Sequence, residues 1–268
     1  MELICPLCGS VLNRQEKQYV CPNRHSFDIA RQGYVHLLPV QNKHSLNPGD
    51  TREQVLSRRS FLEAGYYAPI ADALAEEAKA LNIVGEILDA GCGEGWYSAA
   101  LARKLGLPLT GLDISKEAVR CAAAKYKDAQ WLCATAAHIP VADGSAGLLT
   151  SLFALTLPEE YRRVLKPGGV FLYVTPAAGH LMELKSVLYE NPYPNEEEAV
   201  PYEGFDYVDI VPVTAVMPIR DNGSLMALFR MTPYAWKTPR EGVERLAALE
   251  GLEVTMDFRI HIFKKREG

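Results

Sequence analysis

The sequence predicts an α/β chain: a mostly parallel sheet flanked by helices, with an antiparallel C-terminal strand and a small N-terminal metal-held module. Three observations predict it. From Glu86 onward, short apolar segments alternate with amphipathic helical ones, the pattern of right-handed βαβ units. A turn carrying Gly91, Gly93 and Gly95 follows the first of those apolar segments, and an acid, Asp113, ends the second. Ahead of both, Cys5, Cys8, Cys21 and His25 stand in two short knuckles with metal-ligand spacing.

Composition bounds the reading. At 268 residues, 48% hydrophobic and 23% charged, the chain can bury one large core and carry a small appended module. No apolar run reaches the ~18 to 20 residues that cross a bilayer, and the N-terminus lacks a basic start followed by a hydrophobic stretch. A soluble, cytoplasmic protein with no membrane partner is expected. The net charge of −5 argues against indiscriminate nucleic-acid binding. The charge is uneven: residues 1–60 hold eight Lys/Arg against five Asp/Glu, and residues 61–268 hold 20 against 28. If any face meets phosphate, it is the N-terminal one.

Taken in order, the first element is the metal module. Only the first three of the six cysteines cluster, and without a secretory signal a metal is the better reading than disulfides. Cys5-x2-Cys8 and Cys21-x3-His25 supply three thiolates and an imidazole, a closed tetrahedral zinc set that is structural because no position is left for water. Ser10 to Val20 reads as a hairpin with its turn near residues 13–17. A piece this small has no core, so the metal replaces one. The segment FDIARQGYVHLLPV reads as a strand-rich connection and QNKHSLNPGDT as a polar loop with turn signals at Asn47, Pro48 and Gly49.

Asp50 or Thr51 can cap a helix running to about Ala64, and a second helix follows Pro69. Then come EILDA, a helix from Tyr97 to Leu105, LTGLDI, a helix from Lys116 to Tyr126, QWLCAT, GLLTSLFAL, EEYRRVL and VFLYVTP. Residues 192–214 read as irregular, with Glu196, Glu197 and Glu198 in a solvated loop. Strands near 209–218 and 254–263, flanking EGVERLAAL, close the sheet antiparallel. The organisation expected is a zinc-binding module over 1–34, connecting helices over 35–84 and the α/β domain over 85–268.

A glycine turn at the carboxyl end of a parallel strand lets a ligand approach the backbone, and Asp113 is placed to accept hydrogen bonds from ribose hydroxyls. The third glycine comes one residue too early for a dinucleotide fingerprint. Asp89 and Glu94 beside the turn would repel a pyrophosphate but suit the sulfonium and ammonium of S-adenosylmethionine.

D-x-G-C-G-x-G, residues 89–95, resembles motif I of the Rossmann-like class I methyltransferases, and RVLKPGG resembles the turn before their fifth strand. With CPLC…CPNRHSFD, GYVHLLPV, NPGD, RRSFLEAGYY, TPAAGHLMELK and MTPYAW, the chain resembles the RlmA (RrmA) family of 23S ribosomal RNA guanine-N1 methyltransferases over nearly its full length. The resemblance implies a zinc-bearing RNA-recognition module, a methyltransferase domain, a homodimer, and methylation of a guanine N1 in a hairpin loop of 23S rRNA. It matches Cys5, Cys8, Cys21 and His25 to the family's zinc ligands. It matches Tyr67, Gly93, Glu94 and His180 to positions around the cofactor, beside Gly91, Gly95 and Asp113 read from the motif itself. The sequence also departs from the general pattern: ATAAHIP has no acid just after the third strand, GSAGLLTSLFAL has no aspartate, and Leu155 and Thr156 stand where the family favours Ala-Pro and a polar residue.

Guanine N1 carries a proton that must leave, so His180 and Glu183, three apart in HLMELK, are candidate proton acceptors sharing a helix face. A turned-out base needs aromatic walls, for which Tyr234, Trp236 and Phe153 are candidates. Arg24, Arg31, Arg52, Arg58 and Arg59 are candidate phosphate contacts. Two other classes stay open on the residues alone: a methyltransferase acting on a small molecule or protein, and a nonenzymatic zinc-containing RNA-binding protein.

Overall fold

The computed structural model describes residues 1–39, 48–197 and 201–267. The turn signal at Asn47 and the loop residue Glu198 lie outside them. Strands β1 (Asn13–Arg14), β2 (Gln18–Val20) and β3 (Ser26–Asp28) form a small antiparallel sheet around the knuckles. The chain then runs through β4 (Val35–His36), α1 (Arg52–Glu63) and α2 (Ala68–Ala80). The alternating region is β5 (Glu86–Ala90), α3 (Trp96–Leu105), β6 (Leu109–Asp113), α4 (Lys116–Lys125) and β7 (Gln130–Cys133). It continues as β8 (Ala146–Leu152), α5 (Pro158–Val164), β9 (Leu165–Pro176) and α6 (Met182–Leu188). The chain ends with β10 (Phe205–Ile219), α7 (Asn222–Met231), a 3-10 turn at Pro233–Trp236, α8 (Arg240–Ala247) and β11 (Leu252–Lys265).

The large sheet has the order β10-β11-β9-β8-β5-β6-β7-β4, parallel from β4 through β9 and antiparallel across β11 and β10. The strand order reverses at β5 and β8, the crevice where open α/β sheets bind ligands. Local chemistry sets the helix starts. Thr51 and Gln54 form a reciprocal capping box at α1, and the Ser115 hydroxyl accepts from Ala118 N at α4.

Three expectations change. The stretch 192–214 is strand from Phe205 onward, paired with β11 and interrupted by one bulge at Val208. As an edge strand, β10 carries exposed apolar residues such as Val208 and Ile210, which blur its alternation. Val35 and His36, in the strand-rich stretch and assigned to the connecting segment, join the main sheet beside β7. His180 precedes α6, whose N-cap is Leu181, so it does not share a helix face with Glu183.

The metal module is welded to the α/β domain. No helix connects β7 to β8, and the N-terminal residues cover that face instead. Leu3 bridges Val141, Ile4 N donates to Pro140 O at 3.1 Å, and Ala142 N donates to Glu2 O at 3.1 Å. Leu3, Cys5, Leu12, Tyr19 and Cys21 belong to the same buried cluster as Leu132, Ile139, Val141 and Leu149. A small module without a core thus borrows the hydrophobic face of the sheet, while α2, α3, α4 and α6 to α8 contribute to the other buried cluster.

Candidate functional site

At the module, the ligand atoms of Cys5, Cys8, Cys21 and His25 lie within 4.8 Å of one another. Cys8 Sγ is 3.7 Å from Cys21 Sγ, and His25 Nδ1 is 3.5 Å from the sulfurs of both Cys5 and Cys21. A tetrahedron with Zn–S of ~2.3 Å and Zn–N of ~2.05 Å has edges of ~3.8 Å between sulfurs and ~3.55 Å from sulfur to nitrogen. The side chains therefore already stand at zinc spacing, with Nδ1 as the imidazole ligand. Hydrogen bonds from the Ser10 backbone and hydroxyl hold the Cys8 thiol down to about 5, whereas burial pushes Cys5 up. A dication favours the thiolate at both.

In the crevice, the three motif glycines do different work. A Cβ at Gly95 would lie 2.6 Å from the Trp131 ring, and one at Gly91 would lie 2.8 Å from Ala154 Cβ. Those two positions are closed by packing. At Gly93, φ is +55 and a Cβ would meet only Arg58 Nη1 at 3.7 Å. Gly93 is therefore the position whose space stays open to a ligand.

Three carboxylates stand in or next to the loop. Asp89 is buried, accepts from the Ser98 hydroxyl and from Thr150 Oγ1 at 2.8 Å, and is pushed up to about 6 by burial. Asp113 accepts from Gly93 N at 2.9 Å and Ser115 N at 2.7 Å, and burial raises it as well. Glu94 accepts from Trp96 N at 3.2 Å through one oxygen; the other is buried without a partner among the described residues, and burial raises this acid too. The Tyr97 hydroxyl is likewise buried and unpartnered. An acid-lined opening with orphaned polar atoms fits a cationic ligand that carries hydroxyls.

Beside the loop, Tyr67 caps α2 with its ring edge-on to Phe61 at 5.2 Å and to Phe258 at 5.4 Å; burial pushes its hydroxyl far up. His180 lies 4.2 Å from Phe258 between ring centroids, and burial pushes it down to about 3. Its Nδ1 accepts from Asp257 N at 3.3 Å, so the neutral ring carries its proton on Nε2. Glu183 accepts from Thr255 N and Oγ1 through its two oxygens. The two candidate proton acceptors therefore have separate surroundings instead of one shared helix face. His180 packs on the aromatic cluster, and Glu183 ties α6 to β11.

The arginine candidates divide. Arg24, Arg31 and Arg52 are exposed, Arg24 with a left-handed backbone on the second knuckle. Arg58 pairs with Asp50 against the glycine loop, and Arg59 pairs with Glu63 at 2.8 Å. Tyr234 is half-buried against Lys185 and Tyr189, whereas Trp236 is 72% exposed. Sequence reasoning missed Tyr97 and Phe258. Tyr97 follows the glycine loop and was legible as its neighbour; Phe258 reaches the site only through the pairing of β11 with β9, which no local pattern announces.

Residues 3–46 match the family model described as RlmA, N-terminal, and residues 88–173 match the model described as Methyltransferase domain. The chain is 34% identical to the 23S rRNA (guanine(748)-N(1))-methyltransferase of Streptomyces fradiae, over 95% of this chain and 93% of that protein. It is 31% identical, over 97% of this chain and 96% of the relative, to YxjB of Bacillus subtilis (strain 168), whose name provisionally assigns the same guanine-N1 activity on 23S rRNA. With both modules matched and relatives aligned along almost the whole length, the chain belongs to the RlmA-type 23S rRNA (guanine-N1)-methyltransferase family, S-adenosylmethionine-dependent enzymes with a zinc ribbon.

Proposed function

We propose that the protein transfers a methyl group to N1 of a guanine in a hairpin loop of 23S rRNA. The observation that carries this reading is the joining of the ribbon and the cofactor crevice through one buried cluster, which gives RNA recognition and methyl transfer a fixed mutual geometry. Ribosomal RNA loops are recognised by shape and splayed bases, for which a rigid platform suits.

S-adenosylmethionine, when bound, supplies an electrophilic methyl on a sulfonium. Asp113 receives the ribose hydroxyls, and Ile114, Ser115, His36 and Leu38, which line a pocket beside it, accommodate the adenosine. Glu94, with its unpartnered oxygen, takes a cationic group, and Gly91, Gly93 and Gly95 shape the loop that the ligand approaches. Tyr67 and His180 bound the crevice on the β11 side. Arg24, Arg31 and Arg52 reach phosphates from the exposed N-terminal face, with Tyr234 and Trp236 nearer the incoming RNA; Arg58 and Arg59 contribute only where their acid partners release them. The functional unit is a homodimer acting in the cytoplasm; no helix among the described residues is long and apolar enough to cross a membrane.

The test is mass mapping of 23S rRNA from cells with and without the gene, together with transfer of labelled methyl to a hairpin transcript. A one-methyl loss confined to a hairpin guanine is expected. Unchanged rRNA alongside methylation of a protein or metabolite would replace the reading with one of the other substrate classes.

A further inference from the structure

We propose that Phe153 is the stacking platform for the guanine that accepts the methyl group; the placement rests on the reading of the substrate given above. Phe153 follows β8, the strand beside β5, so it emerges next to the glycine loop. Its neighbour Ala154 stands where a Cβ on Gly91 would lie 2.8 Å away. Its backbone is left-handed, with φ of 58°, a region that bulky side chains seldom adopt and that persists only where surrounding structure imposes it. Phe153 N donates to Val174 O at 3.2 Å, which fixes the turn.

The conformation redirects the ring. Leu149 and Leu152 on the same strand are buried, yet Phe153 is 45% exposed. One side of it packs on Phe258, 4.9 Å between centroids, and on Tyr97 at 6.2 Å. These two rings connect it to the cofactor crevice. Phe258 touches His180 and Tyr67, and the unpartnered Tyr97 hydroxyl lies in the field of Tyr67, Arg58 and Glu94. The remaining surface of Phe153 faces outward, continued by Leu155, which is also exposed. An aromatic ring supported from behind by the crevice and open in front is what a base turned out of its stack requires beside a methyl donor. Of the other aromatic candidates, Tyr234 is engaged by Lys185 and Tyr189, and Trp236 sits in the 3-10 turn after α7.

The experiment measures methyl transfer to a 23S hairpin transcript, calorimetric affinity for S-adenosylmethionine, and thermal midpoint, for the wild type and for Phe153→Ala, Phe153→Gly and Phe153→Trp. Base stacking on an aromatic ring predicts a loss of ~10- to 100-fold in kcat/KM for RNA in both Phe153→Ala and Phe153→Gly, with cofactor affinity within about twofold of wild type. Phe153→Trp should recover most of the rate, because any π face serves. Phe153→Gly relieves the left-handed backbone, so its thermal midpoint should not fall below that of Phe153→Ala. Wild-type rates in the Ala and Gly variants, or a Trp variant as slow as Ala, would overturn the role of Phe153 alone. A wild-type protein inactive on the transcript would overturn the substrate reading and this role with it.

Discussion

Replacing Leu3 by Ala tests whether the metal module and the α/β domain are one folding unit. Leu3 is 2% exposed, bridges Val141, accepts from Leu12 N at 2.8 Å, and packs in the cluster that includes Leu132 and Ile139. Removing a buried leucine side chain costs about 2 to 5 kcal/mol, the larger values where surroundings cannot collapse into the cavity. This site is held between a metal-pinned knuckle and a rigid sheet, so collapse is limited. For a chain of this size each kcal/mol moves the midpoint by roughly 2 to 4 °C, giving an expected fall of roughly 4 to 20 °C. Calorimetry on zinc-loaded protein should show one transition moving as a whole, with zinc content unchanged at room temperature. A main transition within about 1 °C of wild type, beside a small separate early one, would show that the ribbon only leans on the sheet.

Three further outcomes follow from the same geometry. Cys8→Ala should release the zinc found by metal analysis in the native protein and lower the midpoint of the whole chain; retention of one tightly held zinc per chain would refute the ligand set. Asp113→Ala should weaken S-adenosylmethionine binding by about 1 to 3 kcal/mol in calorimetry, because the carboxylate proposed to receive the ribose hydroxyls is lost. Gly95→Ala should lower thermal stability, since its Cβ meets Trp131 at 2.6 Å, whereas Gly93→Ala should mainly weaken cofactor binding; equal effects on both readouts would remove the distinction drawn between the two glycines.

The elements legible in the sequence were those that one residue pattern determines. Thr51 and Gln54 announce α1 by a capping box, and the cysteine knuckles announce a tetrahedral set because their spacing alone nearly fixes it. The alternation after Glu86 gave the parallel strands, and the paired motif of Gly91 to Gly95 and Asp113 gave the crevice. Features that depend on distant pairing stayed hidden. Val35 and His36 lie in a stretch that reads as strand-rich, but nothing local names β7 as their partner. His180 and Glu183 look like a helical pair, but the left-handed Leu181 between them turns one toward the aromatic cluster and leaves the other against Thr255. The ribbon's place on the sheet was invisible for the same reason: what predicts it is the missing helix between β7 and β8, and a missing helix becomes a vacant face only once the strand order is known.

The acids of the crevice also set how binding depends on pH. Burial raises Asp89 from 3.8 to about 6 and raises Asp113 and Glu94 in the same direction, so the free crevice holds protons that exposed carboxyls would have lost. A raised carboxyl stabilises the fold in its protonated form below about pH 4, and that contribution is lost as pH rises through about 6. A cationic ligand reverses the balance by favouring the ionised forms, so its binding should release protons and tighten between about pH 4 and 7. Transfer of the methyl group removes the sulfonium charge, and the same carboxylates then attract S-adenosylhomocysteine less than S-adenosylmethionine. The ratio of product to substrate dissociation constants should therefore increase over that pH range, and Asp89→Asn should flatten part of the increase. Calorimetry in buffers of different ionisation enthalpy counts the protons directly. A ratio independent of pH, with no proton released on binding, would mean that these acids act through hydrogen-bond geometry and not through charge.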